Sequence, residues 1–207
     1  VIDSAVITGT ADLRFMGITF PSRLRFTHDA GRSYRHYIEA TIWGWPLLRV
    51  NEHFIEGRGR LELPFGTIEN DPKTDSAGNL GLWGESIWLP TLFITDPRVR
   101  WEAIDDTTAR LIVPVVGTEA EDSFTVHFDA ETGLLTSMEA LRWKNSSDME
   151  KTRWILEARG WIERHGMWLV SPGAVTWAGD SAPWLVMSVD DVAYNADVSA
   201  YIRARGL

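Results

Sequence analysis

The sequence predicts a mainly β protein, a strongly curved antiparallel sheet in the form of a half-barrel or barrel with about ten or more strands. Three observations carry this. Turn residues recur roughly every 8–12 positions along most of the chain. Apolar and polar residues alternate in Ser22-Arg23-Leu24-Arg25-Phe26, so Leu24 and Phe26 share one face and the arginines the other. Strands do not alternate with helices, which excludes an α/β arrangement.

The elements follow in order. Residues 5–15, 18–27 and 33–43 read as strands joined by a Met16-Gly17 turn and a polar turn at 28–32. Gly44-Trp45-Pro46 reads as the end of ladder pairing, since proline carries no N–H, and strands at 47–56 and 58–63 continue the meander. Residues 66–79, rich in Asp, Asn, Pro, Gly and Ser, read as a long exposed loop. Leu80, Trp83, Ile87 and Trp88 then fall at helical spacing, with Ser76 or Asn79 as cap and Pro90 beyond. This predicts a short amphipathic helix near 80–89, a lid over the sheet. Strand patterns resume at 99–104, 109–116, 123–128, 134–144, 152–164, 167–178 and 184–194, and residues 196–205 read as a closing C-terminal helix.

At 207 residues, 44% hydrophobic and 24% charged, the chain has the size and composition of one globular domain spanning 1–207. No apolar run approaches the ~18 residues that a spanning helix needs. A net charge of −9 with scattered Lys and Arg offers no footprint for nucleic acid. The absence of cysteine excludes disulfides, thiolate metal sites and a Cys nucleophile. The chain begins at Val1 rather than Met, so the expectation is that something upstream was cut off, either a signal or anchor in the cell or a segment at a cloning boundary; the sequence leaves the compartment open, and the first alternative would favour a bacterial envelope or extracytoplasmic location.

Eleven tryptophans are the most distinctive feature. Each offers a large apolar face and one N–H donor, a combination suited to a greasy pocket with a polar rim. Trp83 and Trp88 on the lid helix, with Ile87 beside them, and Trp43 and Trp45 flanking a strand-ending turn, are the expected ligand contacts. Phe93, Trp101 and Arg58 complete that expected set. For single tryptophans core filling is the commoner role. Among carboxylates Glu85, between Trp83 and Trp88, and Asp105, in a tight turn, are the candidates for acid–base work, provided burial raises their pKa. Glu52 with His53, and Glu56 with Arg58, read as surface pairs on hairpins. The five histidines show no metal-ligand spacing, although His127 and Asp129 share a strand face, and no nucleotide, hydrolase-elbow or zincin motif occurs. No cofactor is called for.

The segments Glu56-Gly57-Arg58-Gly59-Arg60-Leu61, Trp88-Leu89-Pro90-Thr91 and Arg100-Trp101-Glu102-Ala103-Ile104-Asp105-Asp106 resemble an uncharacterised bacterial domain-of-unknown-function family. That resemblance implies no activity, and it implies an upstream apolar segment of the kind a trimmed Val1 suggests. More distantly, hairpins with a helix laid across them are similar in architecture to envelope carriers of lipoproteins and lipids, whose open sheet shelters acyl chains.

The leading expectation is a binding or carrier protein for a lipid-like or other hydrophobic small molecule in a Trp-lined cavity, peripherally associated with the cell envelope. The alternatives are a cofactor-free isomerase, cyclase or hydrolase on an apolar substrate, using Glu85 or Asp105, and an envelope scaffold that binds a partner peptide. An interior without a cavity would count against both carriage and catalysis.

Overall fold

The structure is a computed structural model describing residues 1–43 and 45–207; Gly44, part of the turn expected at 44–46, lies outside the described residues. Its first half is a meander of β1 (Ser4–Phe15), β2 (Ile18–Asp29), β3 (Ser33–Ile42), β4 (Trp45–Ile55), β5 (Arg58–Leu63) and β6 (Gly66–Glu69). Helix α1 (Pro72–Glu85), a 3-10 turn at Ser86–Trp88 and α2 (Leu92–Thr95) cross to the second half. That half comprises β7 (Arg100–Ala103), β8 (Thr108–Pro114), β9 (Glu121–Phe128), β10 (Leu135–Arg142), β11 (Thr152–Ala158), β12 (Trp161–Arg164), β13 (Met167–Val170), β14 (Gly173–Trp177) and β15 (Leu185–Tyr194).

Thirteen strands form one antiparallel sheet in the order β6-β5-β4-β3-β2-β1-β15-β14-β11-β10-β9-β8-β7, and β12–β13 stand apart as a hairpin. The β1–β15 pairing welds the two meanders, with Leu13 opposite Leu185 and Ala5 opposite Tyr194. Where that register shifts, between Thr8 and Gly9, the Ser188 carbonyl comes too close to admit a Cβ, so only glycine fits. The sheet is not closed, but it curls strongly. Six strands lie between β4 and β10, yet Arg142 on β10 donates to Glu52 on β4 at 2.8 Å.

The hairpins form where two-residue turns can adopt left-handed backbone. Met16-Gly17, Glu56-Gly57 and His165-Gly166 all have positive φ at both positions, the geometry that matches the twist of the flanking strands. Pro46 departs from the expected break. It lies inside β4 opposite Thr41, next to a register shift between Ala40 and Thr41, and that irregularity absorbs the missing N–H.

Four further differences from the sequence reading have physical causes. Residues 66–79 are not a loop: β6 pairs with β5, and Asp71 caps a helix that begins at Pro72, its carboxylate accepting from the Lys73 and Thr74 amides. The helix therefore starts eight residues earlier than Leu80 and is not amphipathic, because residues 78–85 are all buried. The expected strands at 152–164 and 167–178 each break in two. Arg159 N donates to Pro172 O and Ser171 N to Gly160 O, forming a corner at which β12–β13 leaves the sheet. Residues 196–205 are a succession of turns rather than a helix.

That terminal segment has a structural task. Arg35, on the outer face of β3, donates to Ile202 O at 2.8 Å, and the Arg25 guanidinium lies over the Tyr201 ring. Covered by the tail outside and by α1 inside, residues 33–40 of β3 are buried on both faces.

Candidate functional site

The inner face is set by period two on β3 and β4. Tyr34, His36 and Ile38 point inward from β3, as do Leu48, Val50, Glu52 and Phe54 from β4, with His36 opposite Glu52 in register. Helix α1 lies across these residues through a row of glycines. A Cβ on Gly78 would sit 2.8 Å from the Phe54 ring and one on Gly84 2.8 Å from Trp154, while Gly81 meets the Tyr34 hydroxyl. Glycine is a poor helix former, so this helix owes its stability to packing and to polar anchors. Asn79 donates to Asp122 at 2.9 Å and accepts from Val116 N, and the Trp83 indole donates to Pro114 O at 3.0 Å.

Below the C-terminal half of α1 is a cavity of about 30 Å³. Trp88, Trp154, Trp184, Leu156, Leu185 and Met187 supply its apolar wall, and Tyr34, His36, Glu52, Glu85 and Arg142 its polar end. That volume holds a water molecule or two, not an acyl chain. The indole N–H groups of Trp154 and Trp184 are both buried without a hydrogen-bond partner, whereas Trp88 donates to Val170 O at 2.9 Å.

Two polar clusters tie the helix to the sheet. In the first, the two Glu85 oxygens meet His36 Nδ1 and His28 Nε2, the latter at 3.1 Å. Burial alone would raise the Glu85 carboxyl. The opposing charge of His36 and hydrogen bonds from both rings outweigh it, and its pKa is lowered to about 2. Glu85 is thus an ionised acceptor and the ring N–H groups donate to it. The His36 ring stacks on Phe26 with centroids 4.0 Å apart, which fixes its plane.

In the second cluster the Tyr34 hydroxyl and the Arg142 guanidinium both donate to Glu52 Oε1, at 2.5 and 2.8 Å. Burial, reinforced by the negative charges of Glu52 and Glu85, pushes the Tyr34 phenol well above its ordinary value. Arg142 also donates to Ala77 O at 3.0 Å and lies over the Trp154 ring, 4.7 Å from its centroid. One guanidinium therefore bridges β10, β4, the helix and a cavity wall.

Of the residues singled out from sequence, the cavity brings together Ile87, Trp88 and Glu85. Trp83 is fully buried but forms core beside the cavity rather than its lining. Trp43 and Trp45, at the ends of β3 and β4, are 97% and 78% exposed and do not line the cavity. Phe93 and Trp101 pack edge to face on the far side of α2, where the Trp101 indole donates to Phe93 O. Arg58 pairs with Asp75 outside the lid, and Glu56 with Arg203. Asp105 lies in an exposed turn, held below its ordinary pKa by bonds from the Thr107 amide and the Thr108 side chain, so it does not supply a raised-pKa acid. Glu85 shares the burial expected of such an acid, but the two histidines reverse the shift. Among the described residues no group of three or more His, Asp or Glu is arranged to hold a metal ion.

Tyr34, His36, Glu52, Arg142, Trp154 and Trp184 were not among the expected site residues. For Tyr34, His36 and Glu52 a signal existed: each is a polar group at an inward position of an otherwise apolar strand face, as Ile38, Val50 and Phe54 show. Arg142 gave none, because its partners arrive from β4 and from the helix.

Solved structures with this fold include a domain described as a candidate outer membrane lipoprotein-sorting protein from Vibrio parahaemolyticus, with TM-score 0.54, 10% identity and coverage of 96% of this chain and 88% of that one. A DUF1329 family protein from Desulfovibrio piger gives TM-score 0.54 at 13% identity, covering 98% and 90%. A LolA superfamily protein from Nitrosomonas europaea gives TM-score 0.53 at 9% identity, covering 92% and 85%. No curated protein matches the chain. At 9–13% identity these likenesses are of fold alone. In sequence, residues 2–187 match the model of a family of unknown function, DUF6544, and the chain belongs to that family.

Proposed function

We propose that the protein is a carrier or binding protein for a hydrophobic small molecule bearing a hydrogen-bond acceptor, and that the structure is its closed state, with α1 and the 3-10 turn as the lid. The observation that carries this reading is the cavity itself. Its wall is built of tryptophan, leucine and methionine, and two buried indole donors, on Trp154 and Trp184, have no partner. Unpaired buried donors cost free energy, and a ligand carbonyl or ester oxygen would satisfy them.

At about 30 Å³ the closed cavity cannot take a chain, so loading requires the lid to lift. Lifting would exchange the helix's polar anchors to Asp122 and the histidines for water, and it would uncover Leu80, Leu82 and Trp83, so the ligand's own burial has to offset the exposure of that core. The fold likeness to lipoprotein-sorting and LolA-superfamily structures supports the same reading by analogy only. The test is native mass spectrometry of the purified chain with organic extraction of whatever co-purifies. A stoichiometric apolar compound supports carriage; a clean apo mass that also fails to take up added fatty acyl esters contradicts it.

One observation favours a second reading. His36 lines the cavity with its ring oriented by a buried, ionised carboxylate, the arrangement of a general base and its positioning partner. Cofactor-free chemistry on an apolar substrate would then use His36 as base, with Glu85 orienting it. Turnover of an acyl ester lost in His36→Gln but retained in Trp43→Ser would support this; hydrolysis unaffected by His36→Gln would contradict it.

A further inference from the structure

Three hairpins, β1–β2, β3–β4 and β5–β6, turn at the same end of the sheet, since each follows an odd-numbered strand of the antiparallel meander. Their tips are apolar and lie in solvent. Met16 is 83% exposed, Trp43 97%, Trp45 78% and Phe65 78%, with Ile18, Ile42, Leu47 and Leu63 exposed around them. Curvature of the sheet gathers the tips: Phe15 at the end of β1 stacks on Phe65 of the third hairpin at 5.9 Å. Trp43 and Met16 both take φ of 50°, a backbone region that bulky side chains seldom occupy.

The charge pattern identifies the surface this rim fits. In residues 13–20, 41–49 and 63–68 the only formal charges are Arg14 and Arg49, although the chain as a whole carries −9; Arg49 shares Glu39 with Arg23, at 3.3 and 2.9 Å, so that trio keeps one net positive charge. The opposite end of the same strands is different in kind, with turns at Asp29 to Arg32, at Glu56-Gly57 and at Asn70-Asp71. Indole, phenyl and thioether groups projecting from turns, with arginine behind them and no acid among them, suit the interface of a bilayer with anionic headgroups. Single scattered apolar residues on a surface need no explanation, but eight on three adjoining tips exceed that background.

We propose that these three tips form a membrane-docking rim that inserts into the headgroup layer of an anionic bilayer. The cavity lies behind it. Trp184, whose side chain lines the cavity, accepts a backbone bond from Arg14 N at 2.7 Å, and Leu185 pairs with Leu13, so the cavity wall continues directly into the first tip. Docking here would bring the cavity's edge to the lipid. The inference stands on the exposed tips and their charge, not on the carrier reading.

The test is flotation of ligand-free protein with vesicles of phosphatidylethanolamine and phosphatidylglycerol, against phosphatidylcholine alone. The expected result is binding to the anionic vesicles, weakened about tenfold or more by Trp43→Ser with Trp45→Ser, and again by Phe65→Ser. Arg14→Gln should cost about fivefold at low salt, and Arg49→Gln, which also frees the Glu39 carboxylate from one of its two arginines, should weaken binding in the same direction. Trp168→Ser and Ile94→Ser, at exposed positions outside the rim, should leave binding unchanged. All of these sites except the half-buried Arg14 are exposed, and an unshifted thermal transition checks that each variant folds. Absence of flotation, or flotation indifferent to the tip variants, overturns the proposal. So does concentration-dependent self-association abolished by those variants without flotation, which would make the rim a contact between copies of the chain. Because the vesicle assay requires nothing in the cavity, its failure leaves the carrier reading intact, and a failed ligand extraction leaves the docking rim intact.

Discussion

Arg142 and Glu52 are joined at 2.8 Å across the inside of a sheet in which six strands separate them. This pair ties the two limbs of the curl together: Glu52 also accepts from Tyr34, and Arg142 holds the Ala77 carbonyl of the lid and the face of Trp154. A buried carboxylate stripped of its arginine is costly, and the planar fork has no equivalent in lysine. Arg142→Met is expected to destabilise the fold by about 2–4 kcal/mol, and Arg142→Lys to recover less than half of that loss. Urea denaturation measures both. Full rescue by lysine would mean that charge alone, rather than the two-directional hydrogen bonding and stacking, is what matters.

The lid's glycines set a second expectation. Alanine is the better helix former by about 1 kcal/mol, so in an exposed helix Gly84→Ala would stabilise. Here the added methyl meets the Trp154 ring at 2.8 Å. The expected net effect is a loss of about 1–3 kcal/mol, together with increased binding of an apolar dye as the lid is raised. A gain in stability would show that the helix does not lie this close to the sheet.

Acid should unfold the protein in two distinguishable stages. Burial, with the like charges of Arg35 and Arg60, lowers His53 from 6.5 to about 4, although Glu62 opposes this. The unfolded chain then binds more protons than the native state, so stability falls as pH drops from 6.5 towards 4. Glu85 is lowered from 4.5 to about 2, and its contribution, complete above 4.5, is lost as pH falls towards 2. His53→Gln should flatten the first stage and Glu85→Gln the second. Stability curves measured against pH would contradict this assignment if His53→Gln left the slope between pH 6.5 and 4 unchanged.

Trp154→Phe and Trp184→Phe separate ligand recognition from stability. Each removes an indole N–H that has no partner in the closed state, so stability should change by less than about 1.5 kcal/mol. Binding of an acyl ester should weaken about threefold to tenfold in each, from loss of a donor to the ester oxygen. Equal binding by the variants would remove the indole donors from the account.

The fold was legible because its signals are local: period two in residues 22–26, X-Gly turns and regular spacing. The start of α1 was obscured by its composition. Gly78, Gly81 and Gly84 and the polar residues before them look like a loop, and only the sheet beneath, with Phe54, Tyr34 and Trp154, makes glycine the residue that fits. The site was half legible for a similar reason. Glu85 and Trp88 stood out on the helix, but Arg142 becomes a site residue only when the sheet curls to bring β10 against β4, and no spacing in the sequence encodes that meeting. Trp43 and Trp45 stand out by type and position, but sequence does not say where they point, because a tryptophan at a hairpin tip reads the same whether the tip folds inward or projects; here both are exposed and outside the cavity.

The most direct test of the carrier reading is the affinity of the wild-type protein for a series of straight-chain fatty acid methyl esters, measured by native mass spectrometry or calorimetry. If the lid lifts to shelter a chain against the tryptophan wall, one ester binds per protein, and affinity rises roughly fourfold per added methylene until the groove is filled. No binding, or an affinity indifferent to chain length, would mean that the interior stays closed and that the protein does not carry a hydrophobic chain.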